Sequence, residues 1–236
     1  MSFYLDCYTE RCRRIADTAE HALIGVSPFN GHYKPKVVEA LVEGALESFE
    51  KVDVLTPGYE AAYTLTAGGM TPPEAAHRVR KATKQLLNPA RRALLRAGVT
   101  EPDRHLHTWT QLANRPAYTR LRHQVRKAYE TDPAVRTACR AVTRDAVAAV
   151  SEGEPDEQQI DIGVDYPMAE MPLFIDTPSV FGVDSSVFVY HRRIQIAEVL
   201  LSGAPHDLEL APGQGFAVAT PLAAPAPNAH ASSRES

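Results

Sequence analysis

The sequence has little of what builds disulfide frameworks, zinc sites or membrane spans. Its three cysteines, Cys7, Cys12 and Cys139, form no CxxC pair, and this spacing favours reduced thiols in a cytosolic protein. No run of about 18 apolar residues occurs, so no membrane-spanning helix is predicted. The first residues carry acids and arginines instead of the apolar stretch of a secretory signal. These absences together favour a cytoplasmic protein.

The composition indicates one globular domain with unevenly distributed charge. Of the 236 residues, 44% are hydrophobic, enough for a single core over residues 1–221. The segment 222–236 lacks apolar anchors and is predicted to be disordered. The net charge is −4, yet residues 75–100 contain no acid. A window with cations and no acids is able to hold a polyanion on one face of the protein. Its cations are Arg78, Arg80, Lys81, Lys84, Arg91, Arg92 and Arg96.

The region from residue 22 to residue 56 has the pattern of a βαβ unit. Residues 22–26, "ALIGV", and residues 52–56, "VDVLT", are short apolar runs typical of buried strands. Between them, residues 35–50 begin with proline and space their apolar residues as a helix does. This order predicts an α/β fold with a parallel sheet and a right-handed crossover.

The remaining elements are predicted from periodicity and from helix-breaking residues. A helix is expected over residues 4–20, and another over residues 72–97 that Pro89 kinks or divides. The further expectations are a strand at 103–109, helical sequence from 116 to 150 broken near Asp132, a polar loop at 151–159, a helix containing Glu170, a strand at 185–191 and an edge strand at 215–221.

Ser27 follows the first strand of the βαβ unit, in the segment "HALIGVSPFN". In open parallel sheets, ligands bind in the crevice beyond the carboxyl ends of the strands, so this position favours a role in chemistry. A serine there is also a common helix cap or turn residue. The hydrolase motif G-x-S-x-G is not met, because Phe29 stands where its second glycine belongs.

A second candidate lies in "DYPMAEMPLF", residues 165–174. Tyr166 and Glu170 are four residues apart and share one face of a helix. A carboxylate and a phenol there are able to bind, deprotonate and orient an amine. A surface pair on an amphipathic helix is the alternative interpretation. We expect Pro167 in the first turn of this helix and Asp165 as its cap.

Three segments taken together resemble the cyclodipeptide synthase family. They are "HALIGVSPFN", "YPMAEMPLF" and "TPSVFGVDSSVFVYH", with the basic stretch "RVRKATKQLLNPARR" between the first two. The resemblance covers roughly residues 20–192, and Asn30 places the chain with the branch that has asparagine after the serine motif. It implies a Rossmann-like three-layer α/β fold similar to the catalytic domain of class I tyrosyl- and tryptophanyl-tRNA synthetases.

Such enzymes make a cyclic dipeptide from two aminoacyl-tRNAs by a ping-pong route through aminoacyl- and dipeptidyl-serine intermediates. The resemblance implies that Ser27 accepts the aminoacyl group and that Tyr166 and Glu170 hold its amine. It implies no metal, no ATP and no other cofactor, because the ester on tRNA is already activated, and it favours a monomer. It extends the catalytic set to Tyr190, Asn30 and, in more variable surroundings, Tyr118.

The resemblance also implies two binding regions. A pocket for the first aminoacyl side chain is expected from Leu23, Gly25, Leu55, Trp109, Val142, Leu173 and Phe188, and its mostly apolar lining favours an apolar or aromatic residue unless the tryptophan narrows it. The tRNA is expected on Arg80, Lys81, Lys84, Arg91 and Arg92, through phosphate contacts that depend on salt.

Two alternatives stay open at this point. A serine hydrolase would use Ser27, although no histidine is placed as its base. A non-catalytic tRNA-binding protein with a synthetase-like fold would need the basic helix but not the residues Ser27, Tyr166 and Glu170.

Overall fold

The structure is a computed structural model that describes residues 3–203 and 207–221. The segment 222–236, predicted to be disordered, lies outside the described residues. Within the described ranges, no helix is long and apolar enough to cross a membrane.

The described strands are β1 (Phe3–Cys7), β2 (His21–Gly25), β3 (Lys51–Thr56), β4 (Leu106–Thr108), β5 (Ser186–Tyr190) and β6 (Gln214–Pro221). They form one mixed sheet in the order β1-β6-β5-β2-β3-β4. Five of them, from β6 to β4 in that order, run parallel to one another, whereas β1 pairs antiparallel with β6.

Ten α-helices and two short 3-10 helices connect these strands in the described part of the chain. The 3-10 helices span Gly58–Glu60 and Pro102–His105. The α-helices are α1 (Glu10–Ala16), α2 (Pro35–Leu46), α3 (Ala61–Ala67), α4 (Pro72–Arg96), α5 (Trp109–Leu112), α6 (Pro116–Thr131), α7 (Pro133–Ala148), α8 (Glu157–Gly163), α9 (Asp165–Phe181) and α10 (Gln195–Leu201).

Helices cover both faces of the sheet, which gives three layers. Side chains of a strand alternate between faces, and in β2 Ile24 packs into the cluster with α2 and α4. Its neighbour Leu23 packs into the opposite cluster, with Phe188 of β5 and residues of α6 and α9. The predicted parallel α/β fold and the βαβ unit β2-α2-β3 are confirmed.

Two predicted elements are wrong. Residues 4–20 do not form one helix, since β1 and α1 divide them, and the burial of Phe3–Cys7 alternates with the period of a strand. The strand predicted at 215–221 as an edge strand lies inside the sheet, between β1 and β5. The antiparallel strand β1 occupies the edge instead, and no local sequence signal specified that pairing.

Other boundaries differ from the predictions in detail. Pro89 does not divide α4 into two helices, because the helix runs on to Arg96 with Pro89 buried. A kink at Pro89 stays a prediction. The strand predicted at 103–109 is only Leu106–Thr108, and α8 begins within the predicted loop 151–159. The predicted break near Asp132 is confirmed between α6 and α7, where the Asp132 carboxylate accepts from the N–H groups of Ala134 and Val135.

The sheet has a topological switch point between β2 and β5. The chain leaves β2 toward β3 and β4 on one side, and β5 and β6 add to the other side. Ligands of such sheets bind beyond the carboxyl ends of the two strands at the switch point. The residues after Gly25 and at Tyr190 therefore lie where a ligand is expected.

Candidate active site

Ser27 and Tyr190 meet at this crevice. Ser27 follows β2, Tyr190 ends β5, and their side-chain oxygens lie 2.7 Å apart in a hydrogen bond. Gly25 permits the approach of the two strands' side chains, because a Cβ there would lie 2.9 Å from Phe188 Cζ and 3.2 Å from Tyr190 Cδ2. Two residues predicted to be catalytic are thus in direct contact.

A cavity of about 660 Å³ opens beside Ser27. Its wall includes Tyr190 and, from α9, Tyr166 and Glu170. The prediction that these two residues of α9 share a face is confirmed. Pro167 lies in the first turn of α9, also as predicted, where the absent N–H costs no helical hydrogen bond.

The carboxyl group of Glu170 contributes to the wall of this cavity. In the part of the chain that the structure describes, no group forms a hydrogen bond or an ion pair with it. Burial raises the pKa of Glu170 to about 8. A carboxyl group held in a cavity without a partner is destabilising by itself and is suited to bind an amine from a ligand.

The phenols of Tyr166 and Tyr190 stay protonated at neutral pH. Burial and the nearby Glu170 raise the pKa of Tyr190 to about 12 and that of Tyr166 well above its ordinary value, while the Ser27 hydroxyl works in the opposite direction. Protonated phenols beside a serine are able to donate to an oxygen on which negative charge develops.

The loop after Ser27 is fixed by a chain of hydrogen bonds to β5. Tyr33 donates its hydroxyl to the Gly25 carbonyl at 2.9 Å, and its oxygen lies 2.9 Å from Nδ1 of His191. The Asn30 side-chain amide then donates to His191 Nε2 at 3.2 Å, and Asn30 Oδ1 accepts from the His32 N–H at 3.0 Å. Burial lowers the pKa of His191 to about 4, so the ring is neutral in this chain of bonds.

Sequence reasoning assigned no role to His191 or Tyr33. The available signal was adjacency, because His191 directly follows Tyr190 and Tyr33 lies three residues after Asn30. Their function in the structure is to hold the Asn30 amide, and with it the loop that carries Ser27.

Tyr118, predicted as a further catalytic residue, does not line the cavity. It is buried on α6, and its hydroxyl donates to the backbone carbonyl of Ala169 at 2.7 Å. Ala169 precedes Glu170, so this bond positions the turn of α9 that carries the carboxyl group. Burial raises the pKa of Tyr118 to about 12, which keeps it a donor.

The predicted side-chain pocket is divided by the structure. Val142 lines the cavity beside Ser27, and the other six predicted residues do not. Leu23, Leu55, Trp109, Leu173 and Phe188 are each at most 1% exposed and pack together in one core cluster. The use of these positions for a substrate side chain stays a prediction.

The predicted basic patch on α4 is partly neutralised by acids from other segments. Arg91 Nε donates to Asp103 at 2.9 Å, and Arg92 Nε donates to Glu39 of α2 at 3.0 Å. Residues 75–100 contain no acid, but the fold brings acids of other segments next to two of their arginines.

Three of the five predicted tRNA-binding cations remain available. Arg80, Lys81 and Lys84 are exposed, and no ion pair in the described residues includes them. Arg78 likewise has no acidic partner there and lies over the ring of Phe29.

A second cavity, of about 760 Å³, lies between α4 and the loop of residues 27–30. Its wall contains Ser27 and Phe29 together with Arg78, Lys81 and Arg92. It shares the segment 27–30 with the cavity of Glu170, so cationic side chains of α4 border both the loop and the serine.

Asp165 does not cap α9 as predicted, because α8 and α9 follow one another directly and Val164 occupies the cap position. Its carboxylate instead accepts from Arg126 of α6 at 3.2 Å. In the described ranges, no group of three or more His, Cys, Asp or Glu side chains is arranged to hold a metal ion.

Fold and site together define a Rossmann-like α/β protein with a serine-centred cavity. The family model described as cyclodipeptide synthase matches residues 3–221. A cyclo(L-leucyl-L-leucyl) synthase of Bacillus subtilis is 31% identical over 94% of this chain and 90% of its own. A cyclo(L-leucyl-L-phenylalanyl) synthase of Streptomyces noursei is 32% identical over 90% of this chain and 89% of its own.

A solved structure from Mycobacterium tuberculosis matches this chain with a TM-score of 0.81 and 25% identity, over 94% of each chain. Its description states that cyclodipeptide synthetases are related to type I tRNA synthetases. The protein belongs to the cyclodipeptide synthase family, and it shares its α/β fold with that structure.

Proposed function

We propose that this protein joins the amino acids of two aminoacyl-tRNAs into a 2,5-diketopiperazine by a ping-pong reaction through Ser27. One observation carries the proposal: Ser27 is hydrogen-bonded to Tyr190 in a cavity whose wall presents the carboxyl group of Glu170, which pairs with no group of the described residues. A nucleophile and an amine-binding acid in one cavity are what an acyl transfer from one amino acid to another needs.

The reaction has three acyl transfers. Ser27 Oγ attacks the first aminoacyl ester, its proton leaves with the tRNA 3′ oxygen, and an aminoacyl-Ser27 ester forms. The amine of that ester attacks the second aminoacyl-tRNA, which gives a dipeptidyl-Ser27 ester and releases the second tRNA. The remaining free amine attacks the Ser27 ester, closes the ring and restores the serine hydroxyl. Each ester is already activated, so the proposal needs neither ATP nor a metal.

Glu170 and Tyr166 act on the amine in this scheme. An α-amino group has an ordinary pKa of about 7.7–8.0, close to the pKa of about 8 that burial gives Glu170. Two groups of matched pKa exchange a proton with little cost in either direction. The carboxyl group is thereby able to bind the ammonium form and to take its proton before attack.

Tyr190 and the backbone after Ser27 act on the oxyanion. Pro28 has no N–H to offer, so the backbone donors closest in sequence after Ser27 are those of Phe29 and Asn30. The Tyr190 hydroxyl, protonated at neutral pH and 2.7 Å from Ser27 Oγ, is the side-chain donor in our scheme. Asn30, held by His191, fixes the loop. Because residue 30 is asparagine, we also propose that the chain belongs to the branch of the family with asparagine after the serine motif.

The charge on α4 supports tRNA as the partner. Arg78 and Lys81 line the cavity that reaches Ser27, and Arg80 and Lys84 lie exposed one turn apart on the same helix. Cations of this kind neutralise phosphates whatever the sequence of the nucleic acid. We retain the monomer as a prediction.

The amino acids are proposed from the cavity and from the relatives. The cavity beside Ser27 includes apolar side chains of Leu65, Val142, Ala146 and Val150. Relatives at 31% and 32% identity are named for leucyl and phenylalanyl products. Apolar aminoacyl groups are therefore the class to test first.

The proposal is tested with purified protein, bulk tRNA charged with one labelled amino acid at a time, and no ATP. The expected result is a labelled cyclic dipeptide, identified by mass spectrometry, from at least one apolar amino acid. Tight binding of tRNA without any product would favour the binding-protein alternative. Turnover of simple esters with no cyclic product would favour the hydrolase.

A further inference from the structure

Phe29 adopts a backbone conformation that its side chain does not favour. Its φ is +65°, in the left-handed region where glycine is at ease and a bulky L-residue is strained. In the described residues only Ala19 shares this feature among residues other than glycine. The loop tolerates the strain because Asn30 and Tyr33 anchor it through hydrogen bonds to the two ring nitrogens of His191.

Packing of the Phe29 ring in a hydrophobic core does not offset this backbone strain. It is 42% exposed and belongs to none of the described core clusters. A strained backbone that presents an aromatic ring to solvent indicates a role in binding rather than in folding.

Phe29 stands on the border between two cavities. It lines both the cavity of Tyr166 and Glu170 and the cavity of Arg78 and Lys81. It is also only two residues from Ser27. A substrate whose acyl group reaches Ser27 and whose phosphates lie on α4 must pass this ring.

Arg78 completes the surface. Its guanidinium carbon lies 5.1 Å from the centroid of the Phe29 ring, and no acid of the described residues pairs with it. A guanidinium over one face of an aromatic ring adds positive charge beside it, and 42% of Phe29 stays exposed for contact with a ligand.

We propose that Phe29, backed by Arg78, is the platform on which the terminal nucleobase of the aminoacyl-tRNA stacks while its ester lies at Ser27. The inference rests on the proposed use of aminoacyl-tRNA and adds the place of its last base. The aminoacyl ester is carried by the ribose of that nucleotide, so the base lies within one nucleotide of Ser27. Stacking on an aromatic ring suits every base, because each has a π face.

The test uses an RNA hairpin with a short single-stranded 3′ end whose last base is 2-aminopurine, a fluorophore that stacking quenches. Wild-type protein and Phe29→Tyr are expected to bind the hairpin and quench it. Phe29→Gly removes the ring and relaxes the backbone; it is expected to abolish the quenching and to weaken binding by a factor of about 5 or more. Its thermal midpoint is expected to lie within about 4 °C of that of the wild type, because the relief of backbone strain offsets the entropy that glycine adds to the unfolded chain.

Tyr59→Leu is the matched control. Tyr59 is 52% exposed and borders a separate cavity on the opposite side of α4, with Arg80 and Lys84. This variant is expected to quench and bind as the wild type does. In the synthesis reaction, Phe29→Gly is expected to raise KM for aminoacyl-tRNA about 5-fold or more, with a smaller change in kcat.

Four results would overturn the inference. Equal quenching by wild type and Phe29→Gly would show that the base stacks elsewhere. A thermal midpoint of Phe29→Gly lowered by more than about 4 °C, which exceeds the entropic cost of glycine, would show that the ring acts in the fold. Loss of quenching in Tyr59→Leu would move the platform across α4. A wild-type protein that fails to bind the hairpin at all would instead remove the tRNA premise, and the inference with it.

Discussion

A carboxyl group lies toward each end of the central sheet, buried Asp53 at one and half-buried Glu170 of α9 at the other, and the surroundings shift the two pKa values in opposite directions. At the amino ends of the strands, Asp53 lies 2.7 Å from His107 Nε2 and 3.1 Å from His21 Nε2. Ser186 in turn bonds to His21 Nδ1 at 2.7 Å. Burial raises the pKa of Asp53, but the bonds and charges of the two histidines outweigh burial and hold it well below its ordinary value.

Near the carboxyl ends of the strands, the pKa of Glu170 is shifted in the opposite direction. No described group pairs with it, and burial alone raises its pKa to about 8. A satisfied polar network stabilises a fold, whereas an unsatisfied carboxyl group costs stability and is kept where a ligand supplies the partner. The comparison separates a structural end of the sheet from a chemical end.

The largest expected effect is that of Ser27→Ala. The variant is expected to make no cyclic dipeptide, because the acyl acceptor is gone. It is expected to unfold within a few degrees of the wild type, because Ser27 is only half-buried and the change removes one described side-chain hydrogen bond, that to Tyr190. Product is measured by mass spectrometry and stability by thermal denaturation. Product at the wild-type rate would contradict the assignment of the chemical end.

Asp53→Asn is expected to act at the structural end. Removing one charge of a buried pair costs about 3–5 kcal/mol of unfolding free energy, and urea denaturation at pH 7 measures it. The folded pKa lies below the ordinary 3.8. The contribution of Asp53 is therefore complete above that value and disappears as the pH falls through the folded pKa. The deficit of the variant should thus shrink in acid; an unfolding free energy equal to that of the wild type at pH 7 would refute the role.

Glu170→Gln is expected to lose product and gain stability. The folded pKa of about 8 exceeds the ordinary 4.5, so the wild type loses stability as the pH rises from the lower value through the higher one. Glutamine carries no charge at either pH. The variant's thermal midpoint should match the wild type at pH 4 and exceed it at pH 9 by about 2–4 °C for each 1 kcal/mol of relief. A variant less stable than the wild type at pH 9 would contradict the claim that the Glu170 carboxyl group costs stability.

The smallest effect is expected among the cations of α4. The triple variant of Arg80, Lys81 and Lys84 to alanine should lower the slope of log affinity for tRNA against log salt by about 0.7–0.9 for each phosphate that the protein no longer neutralises. Changing Arg91 and Arg92 to alanine should lower it less per residue, because Asp103 and Glu39 already pair with them. The reverse ranking would show that these ion pairs open on binding.

The chemical end was largely predictable because its residues occur in short segments. Ser27 and Asn30 follow one strand, and Tyr166 and Glu170 lie on one helical turn, so spacing alone brings each pair together. The parallel sheet then brings β2 and β5 side by side. The contact of Ser27 with Tyr190 follows from that topology once the family resemblance is recognised.

The structural end was not predictable by the same reasoning. His21, Asp53, His107 and Ser186 come from four different strands, and nothing local links them. The same limit explains the error at β6, whose place inside the sheet depends on pairing with β1. It also explains the ion pairs of Arg91 and Arg92, whose acids lie outside the window of sequence that contains the cations.

The most direct test of the account is to find the acyl group on the enzyme. Purified protein is mixed with tRNA charged with an isotopically labelled amino acid that yields product, without ATP, and quenched in acid within the first turnover. Peptide mass mapping is predicted to show the aminoacyl mass on the peptide containing Ser27 and none in Ser27→Ala. A labelled ester on another residue, or cyclic dipeptide from Ser27→Ala, would contradict the account.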